Sequence, residues 1–170
     1  PLLAPALKPG DCQAIREGWG TDDRQGHGTE MAGLSLYGNL VELLTTDGPI
    51  QLEHCLESVK ILNRDDPNPP HLYGEVTIRS VKLAEQAAPD RARAIGMAVT
   101  AATSGDEEKG QPSTWSAAID SLVSGYSDDR RRLLLISAGN TPHDRWHEYP
   151  TVCQFSGVLD PGQSWNALTV

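Results

Sequence analysis

Short apolar segments that alternate with amphipathic segments are the feature that most constrains the fold of this chain. Four segments are short, apolar and bounded by polar loops, as strands are: 58–62, 94–100, 133–137 and 166–170. Residues 75–88 and 115–123 instead place apolar side chains at helical spacing. This alternation predicts βαβ units, in which right-handed crossovers put helices on both faces of a mostly parallel sheet. We therefore expect an α/β fold.

The two ends of the chain and one internal loop lack such a pattern. Residues 1–25 are interrupted by prolines and glycines, so we expect an irregular lead-in there. Residues 104–113 are polar and predict an exposed loop. The chain starts at Pro1 and stops at Val170 inside an apolar run, so we expect residues 1–170 to be a single but incomplete domain, truncated at both ends.

Charge and cysteine content exclude some classes of function. The net charge is −9, which repels phosphate backbones and argues against a nucleic-acid partner. The basic run 130–132 follows two aspartates and is interpreted as a solvated loop. No apolar run is long enough to cross a bilayer, and no signal peptide is expected. Three widely spaced cysteines do not form a disulfide framework and favour a reducing, cytoplasmic location.

A histidine between two glycines, in the stretch GHGTEMAGL, opens a predicted helix. His27 is expected at or before the first turn, with Met31, Leu34 and Tyr37 following along the helix. The positive end of the helix dipole disfavours a second proton on the ring, which suits a general base. Taken alone, the pattern favours a capping or core histidine over a catalytic base.

A second motif, ISAGN, leaves the carboxyl end of the predicted strand 133–137 and reaches Asn140 through a glycine. The carboxyl ends of parallel strands are where ligands gather in such sheets. An asparagine amide there can donate to an oxyanion during acyl transfer. Taken alone, the motif favours an ordinary turn asparagine.

Together the two motifs resemble those of the subtilisin-like serine proteases, the subtilases. GHGTEMAGL resembles the family's histidine motif and SAGN its oxyanion-hole segment. Connecting segments agree in order: VKIL, AIGMAVT, WSAAIDSLVSG, YPTV and NALTV. The resemblance covers the chain from about residue 18 onward. It implies a subtilisin-like fold and a serine endopeptidase, with His27 as general base, Asn140 in the oxyanion hole and a polypeptide as substrate.

The resemblance also implies a Ser-His-Asp triad in the chain order aspartate, histidine, serine. No strand before His27 ends in the family's aspartate motif, and Asp22 and Asp23 are too close to the histidine to supply it. No serine stands in the nucleophile motif; Ser137, Ser156 and Ser164 occupy other contexts. We therefore expect both partners to lie outside residues 1–170 and these residues alone to be inactive and to form homo-oligomers.

The family's substrate-lining strand corresponds to AIGMAVT, in which Ala98, Val99 and Thr100 replace the usual Ser-Leu-Gly-like run. Backbone pairing with an extended peptide tolerates that replacement. These three residues are therefore predicted to bind substrate, although their side-chain preference cannot be read from the sequence.

Other functions remain as alternatives. A pseudoprotease would keep the fold as a peptide-binding module, and flanking triad motifs would distinguish it from the enzyme. A nucleotide-binding domain is disfavoured because no phosphate loop is present. No metal or cofactor is expected, although Asp65, Asp66 and Asn68 leave calcium open. His143 and His147 at i, i+4 are interpreted as part of a surface loop, with a metal site as the alternative.

Overall fold

A computed structural model describes residues 3–45, 47–101 and 111–170. In chain order the strands and helices are β1 (Leu7–Ala14), α1 (His27–Tyr37), α2 (Leu40–Leu44), β2 (Leu56–Lys60), α3 (Tyr73–Ala87), β3 (Ala94–Met97), α4 (Thr114–Ser124), β4 (Leu133–Ile136), α5 (Thr151–Phe155) and β5 (Leu168–Thr169). Short 3-10 helices cover Pro70–Leu72 and His143–Glu148. All named strand pairs are parallel, which confirms the α/β class.

Contacts along the chain divide it into two compact units. The first comprises residues 1–67 and 79–91, and the second comprises residues 68–78 and 92–170. The parallel strands form two sheets, β1-β2 and β3-β4-β5. The sequence predicts that residues 1–170 are a single, incomplete domain, and this stays a prediction.

The first unit contains the clearest correction to the sequence analysis. The supposedly irregular lead-in holds β1, which runs parallel to β2 in spite of Pro9 and Gly10. Its ladder is irregular between Leu7 and Cys12. Asp11 on this strand is buried and pairs with Arg91, which also contacts Glu57 on β2. A lead-in without apolar periodicity is therefore held by cross-strand pairing and by ion pairs.

The second unit is built around the three-stranded sheet and α4. Helix α4 buries Trp115, Ile119, Leu122 and Val123, as its apolar spacing predicts. Ser113 caps its start by accepting a hydrogen bond from the backbone N–H of Ser116, and Gly125 ends it in a left-handed conformation, so both predicted caps are confirmed. The indole N–H of Trp115 donates to the hydroxyl of Thr77, 2.8 Å away.

Other boundaries moved by a few residues. Strand β2 begins and ends two residues earlier than predicted, and β3 ends at Met97 rather than at residue 100. Most of the predicted loop 104–113 lies outside the described residues. The basic run is not wholly solvated, because the side chain of Arg132 is only 5% exposed and pairs with Asp128 at 2.6 Å. No helix in the described residues has the length and apolar character needed to span a membrane.

Candidate active site

His27 is the first residue of α1, as the sequence predicted, and its side chain is exposed. The preceding Gly26 has a φ of 89°, a left-handed conformation that residues with a side chain rarely adopt. The carbonyl of Gly26 accepts the backbone N–H of Glu30 at 2.9 Å and so closes the first helical turn. This sharp entry places the imidazole at the start of the helix.

The loop before His27 is organised by Asp23, to which the sequence analysis gave no role. Its Oδ1 accepts the backbone N–H groups of Gln25 and Gly26, both at 3.0 Å. Its Oδ2 accepts the backbone N–H of Thr29 at 2.7 Å and the Thr29 hydroxyl at 2.8 Å. One carboxylate thus binds donors on both sides of His27.

These hydrogen bonds also act on the charge of Asp23. The backbone N–H of Gln25, followed by the two donors of Thr29, holds the pKa of the Asp23 carboxyl far below its usual range. The carboxylate therefore stays ionised at every ordinary pH, next to the positive end of the α1 dipole. A sequence signal exists: an aspartate a few residues before a helix start, followed by a threonine in the first turn.

Asn140 follows the carboxyl end of β4 and is exposed. Before it, Gly139 has a φ of 138°, and the Ser137 hydroxyl accepts the Gly139 N–H at 3.2 Å. The backbone N–H of Ala138 donates to the carbonyl of Val170 at 2.7 Å. We call residues 137–140 the oxyanion segment, after the role that the sequence predicts for Asn140. Its backbone is fixed up to the residue before Asn140.

Ala98, Val99 and Thr100 follow the carboxyl end of β3 and are half-buried. We call residues 98–101 the substrate-lining segment, after the role that the sequence predicts for residues 98–100. Because β3 and β4 are parallel, with Met97 opposite Ile136, both segments leave the same edge of the three-stranded sheet. The backbone N–H of Ser137 donates to the carbonyl of Met97 at 3.3 Å where they diverge.

The structure therefore brings together four of the five predicted site residues. Asn140 and residues 98–100 share one sheet edge in the second unit, whereas His27 belongs to the first unit. The predicted proximity of His27 to Asn140 stays a prediction.

The three excluded serines each donate to a backbone carbonyl. Ser137 donates to Gly139 at 3.3 Å, Ser156 to Val152 at 2.7 Å and Ser164 to Pro161 at 3.0 Å. Hydroxyl protons engaged in this way serve local structure, whereas a nucleophilic serine gives its proton to a base. That the nucleophile lies outside residues 1–170 stays a prediction.

The suggested metal sites gain no support from the geometry. No group of three or more histidine, cysteine, aspartate or glutamate side chains suited to a metal occurs in the described residues. Asp66, one of the calcium candidates, accepts instead from Arg16 at 2.7 Å and from the indole of Trp19 at 2.8 Å. His143 and His147 lie in a 3-10 helix, where residues i and i+3, not i and i+4, are aligned.

Comparison with known protein families identifies a match. The family model described as Subtilase family (Peptidase_S8) matches residues 1–170, the full length of the chain. No curated protein and no solved structure matched this chain.

Proposed function

The chain belongs to the subtilase family of serine proteases, and from that premise we propose that it supplies the general base and the oxyanion donor of a serine endopeptidase. The observation that carries the proposal is the family match over residues 1–170, combined with the placement of two motif residues. His27 opens α1, and Asn140 follows the carboxyl end of β4.

In the proposed reaction, His27 takes the proton of a serine hydroxyl as that oxygen attacks the peptide carbonyl. It then gives the proton to the leaving amine. In the second step His27 takes a proton from water as the water attacks the acyl-enzyme, and it returns that proton to the serine oxygen. The side-chain amide of Asn140 donates a hydrogen bond to the carbonyl oxygen as negative charge develops on it. The chemistry requires no cofactor.

The proposed substrate is an extended polypeptide that pairs with the backbone of the substrate-lining segment. Residues 98–100 continue from β3 without regular secondary structure, so an extended peptide can be added there through main-chain hydrogen bonds. Half-buried Ala98, Val99 and Thr100 offer small, mostly apolar contacts.

The aspartate and serine of the triad are proposed to come from residues outside 1–170, because neither family motif occurs within them. On this proposal, residues 1–170 alone do not react with a serine-directed fluorophosphonate, whereas the full-length protein does. Stoichiometric labelling of any serine within residues 1–170 would overturn the assignment.

The experiment that tests the function is peptide hydrolysis by the full-length protein and its variants. We expect His27→Ala to lower kcat by roughly 10⁶-fold, the scale of removing the base of a serine-protease triad. Asn140→Ala is expected to lower kcat by about 10²- to 10³-fold, with little change in KM. The matched control is His54→Ala, an exposed histidine whose Nε2 lies 3.0 Å from the carbonyl oxygen of Ser35.

Two outcomes would contradict the proposal. Activity that survives His27→Ala would show that another group is the base. A full-length protein that binds peptides but hydrolyses none would favour the pseudoprotease alternative.

A further inference from the structure

A buried carboxylate lies in the second unit, outside the residues that the catalytic proposal uses. Asp160 is 3% exposed, although aspartate is rarely buried unless its charge is paired or hydrogen-bonded. It lies between α5 and β5, in a stretch where sequence analysis found no motif. The partners of its side chain and of its backbone belong to different segments, which suggests a linking role.

The Asp160 side chain is bound by two serines at the start of α4. The hydroxyls of Ser113 and Ser116 both donate to Oδ1, the latter at 2.9 Å. Ser113 is also the N-cap of α4, where its oxygen accepts the Ser116 N–H at 3.0 Å. These two hydrogen bonds to one carboxyl oxygen join the chain around Asp160 to the start of α4.

The backbone around Asp160 binds both segments of the candidate site. The carbonyl of Asp160 accepts the N–H of Ala101, at the end of the substrate-lining segment, at 2.9 Å. The N–H of Leu159 donates to the carbonyl of Ala138, in the oxyanion segment, at 2.8 Å. Two consecutive residues thus connect the two segments that leave the edge of the sheet.

Close packing leaves this connection little freedom. A Cβ added at Gly139 would lie 3.1 Å from the Leu159 side chain. A Cβ added at Gly162 would lie 2.9 Å from the carbonyl oxygen of Leu159 and 3.1 Å from that of Ser137. A shift of residues 159–162 therefore moves the backbone next to Asn140.

We infer that Asp160 is a positioning residue that sets the spacing between the oxyanion segment and the substrate-lining segment. Its carboxylate, held by Ser113 and Ser116, fixes the Leu159–Asp160 backbone that both segments bind. The inference rests on the proposed function, because the spacing matters for catalysis only if a scissile peptide lies between Asn140 and residues 98–101.

The test compares Asp160→Asn with Thr77→Val in the full-length protein. Asn keeps one oxygen acceptor for the serine hydroxyls but loses the charge. Thr77 is the matched control because it is also buried, at 2% exposed, and its substitution also removes hydrogen bonds within the same unit, from the Trp115 indole and to the Tyr73 carbonyl. Ser116→Ala is a milder second variant that removes one donor to Asp160 and keeps the carboxylate.

Two measurements are made on each variant. Hydrolysis of an extended peptide substrate gives kcat and KM separately. Hydrogen exchange followed by mass spectrometry reports on peptides that cover residues 98–101 and 158–162, whether or not the protein is active. The reference is the peptide containing Arg132, whose N–H donates to the carbonyl of Val123 at 3.1 Å in the same unit.

For Asp160→Asn we expect kcat to fall about 10- to 100-fold, because a displaced oxyanion donor weakens transition-state binding more than substrate binding. Exchange should accelerate at least about tenfold in both site peptides and not in the reference peptide. Ser116→Ala should show the same pattern to a smaller degree. Thr77→Val should lower overall stability while kcat per folded molecule and the site peptides stay unchanged.

The inference is overturned if Asp160→Asn and Thr77→Val have the same effects on kcat and exchange. If the wild-type protein hydrolyses no peptide, the proposed function fails separately. The exchange data then still decide whether Asp160 fixes the two segments: a selective acceleration supports it, and a uniform change refutes it.

Discussion

The two segments that carry the motif residues are each held by an aspartate, and the two aspartates work in opposite surroundings. Asp23 lies in solvent and binds donors two to six residues away. Asp160 is buried and binds hydroxyls 47 and 44 residues away. Water can replace the exposed carboxylate as an acceptor, whereas the buried one is shielded from water. Equivalent substitutions should therefore have unequal costs.

The largest expected effect on stability comes from Asp160→Ala. It removes the acceptor that the Ser113 and Ser116 hydroxyls share and leaves Ser116 the Pro161 carbonyl at 3.2 Å, so we expect the free energy of unfolding to fall by about 3 kcal/mol. Urea denaturation measures the change. A loss no greater than that of Asp23→Ala would remove the distinction between the two aspartates.

Gly162→Ala disturbs the buried region without touching its carboxylate. The new Cβ would lie 2.7 Å from Cγ1 of Val158 and 2.9 Å from the Leu159 carbonyl oxygen, so the free energy of unfolding should fall by about 1–3 kcal/mol. Thermal unfolding measures it. Gly96→Ala is the matched control, because no atom lies within 4 Å of its added Cβ. Equal effects at both glycines would show that the packing around Leu159 is loose.

Asp23→Ala should have a smaller effect on stability, roughly 1 kcal/mol, because the carboxylate acts as an exposed cap of α1. Urea denaturation at pH 7 is again the measurement. The control is the neighbouring Asp22→Asn, which weakens ion pairs with Arg24 at 3.0 Å and Lys60 at 3.7 Å and should lower the free energy of unfolding by less than Asp23→Ala. A larger loss of stability for Asp22→Asn than for Asp23→Ala would show that Asp22, and not Asp23, organises the turn before His27.

The smallest expected effect is a pH dependence of the difference in unfolding free energy between wild type and Asp23→Ala. A carboxyl with a lowered folded-state pKa stabilises the folded protein above its unfolded pKa of about 3.9, and this is lost as pH falls toward the folded-state pKa. The stability gap between wild type and Asp23→Ala should therefore be constant above about pH 5 and shrink below it. Unfolding curves across this range test the sign, and a gap that widens in acid would contradict it.

Local sequence patterns predicted much of the fold and only part of the site. Helix α4 was predictable with both caps because Ser113 and Gly125 act on adjacent backbone. Strand β1 was missed because its residues show no alternation and pair with a strand more than 40 residues later. Its conformation is set by tertiary pairing, which overrides local propensity.

The candidate site shows the same division. His27 at a helix start and Asn140 after β4 follow from short motifs, and the structure confirms both placements. Asp23 was detectable in principle, because its partners are local. Asp160 was not, because no spacing in the sequence indicates that hydroxyls near residue 115 converge on it.

The short reach of Asp23 has a consequence for the order of folding. A loop of seven residues closes within about 100 ns, and its closure costs less entropy than one of nearly 50 residues. The turn that presents His27 can therefore form while the rest of the chain is still unfolded, and the link through Asp160 must wait for its distant partners. Pulse-labelling during refolding should protect the Thr29 amide before that of Ala101, and simultaneous protection would contradict this order. We therefore expect the turn that presents His27 to form before the link through Asp160.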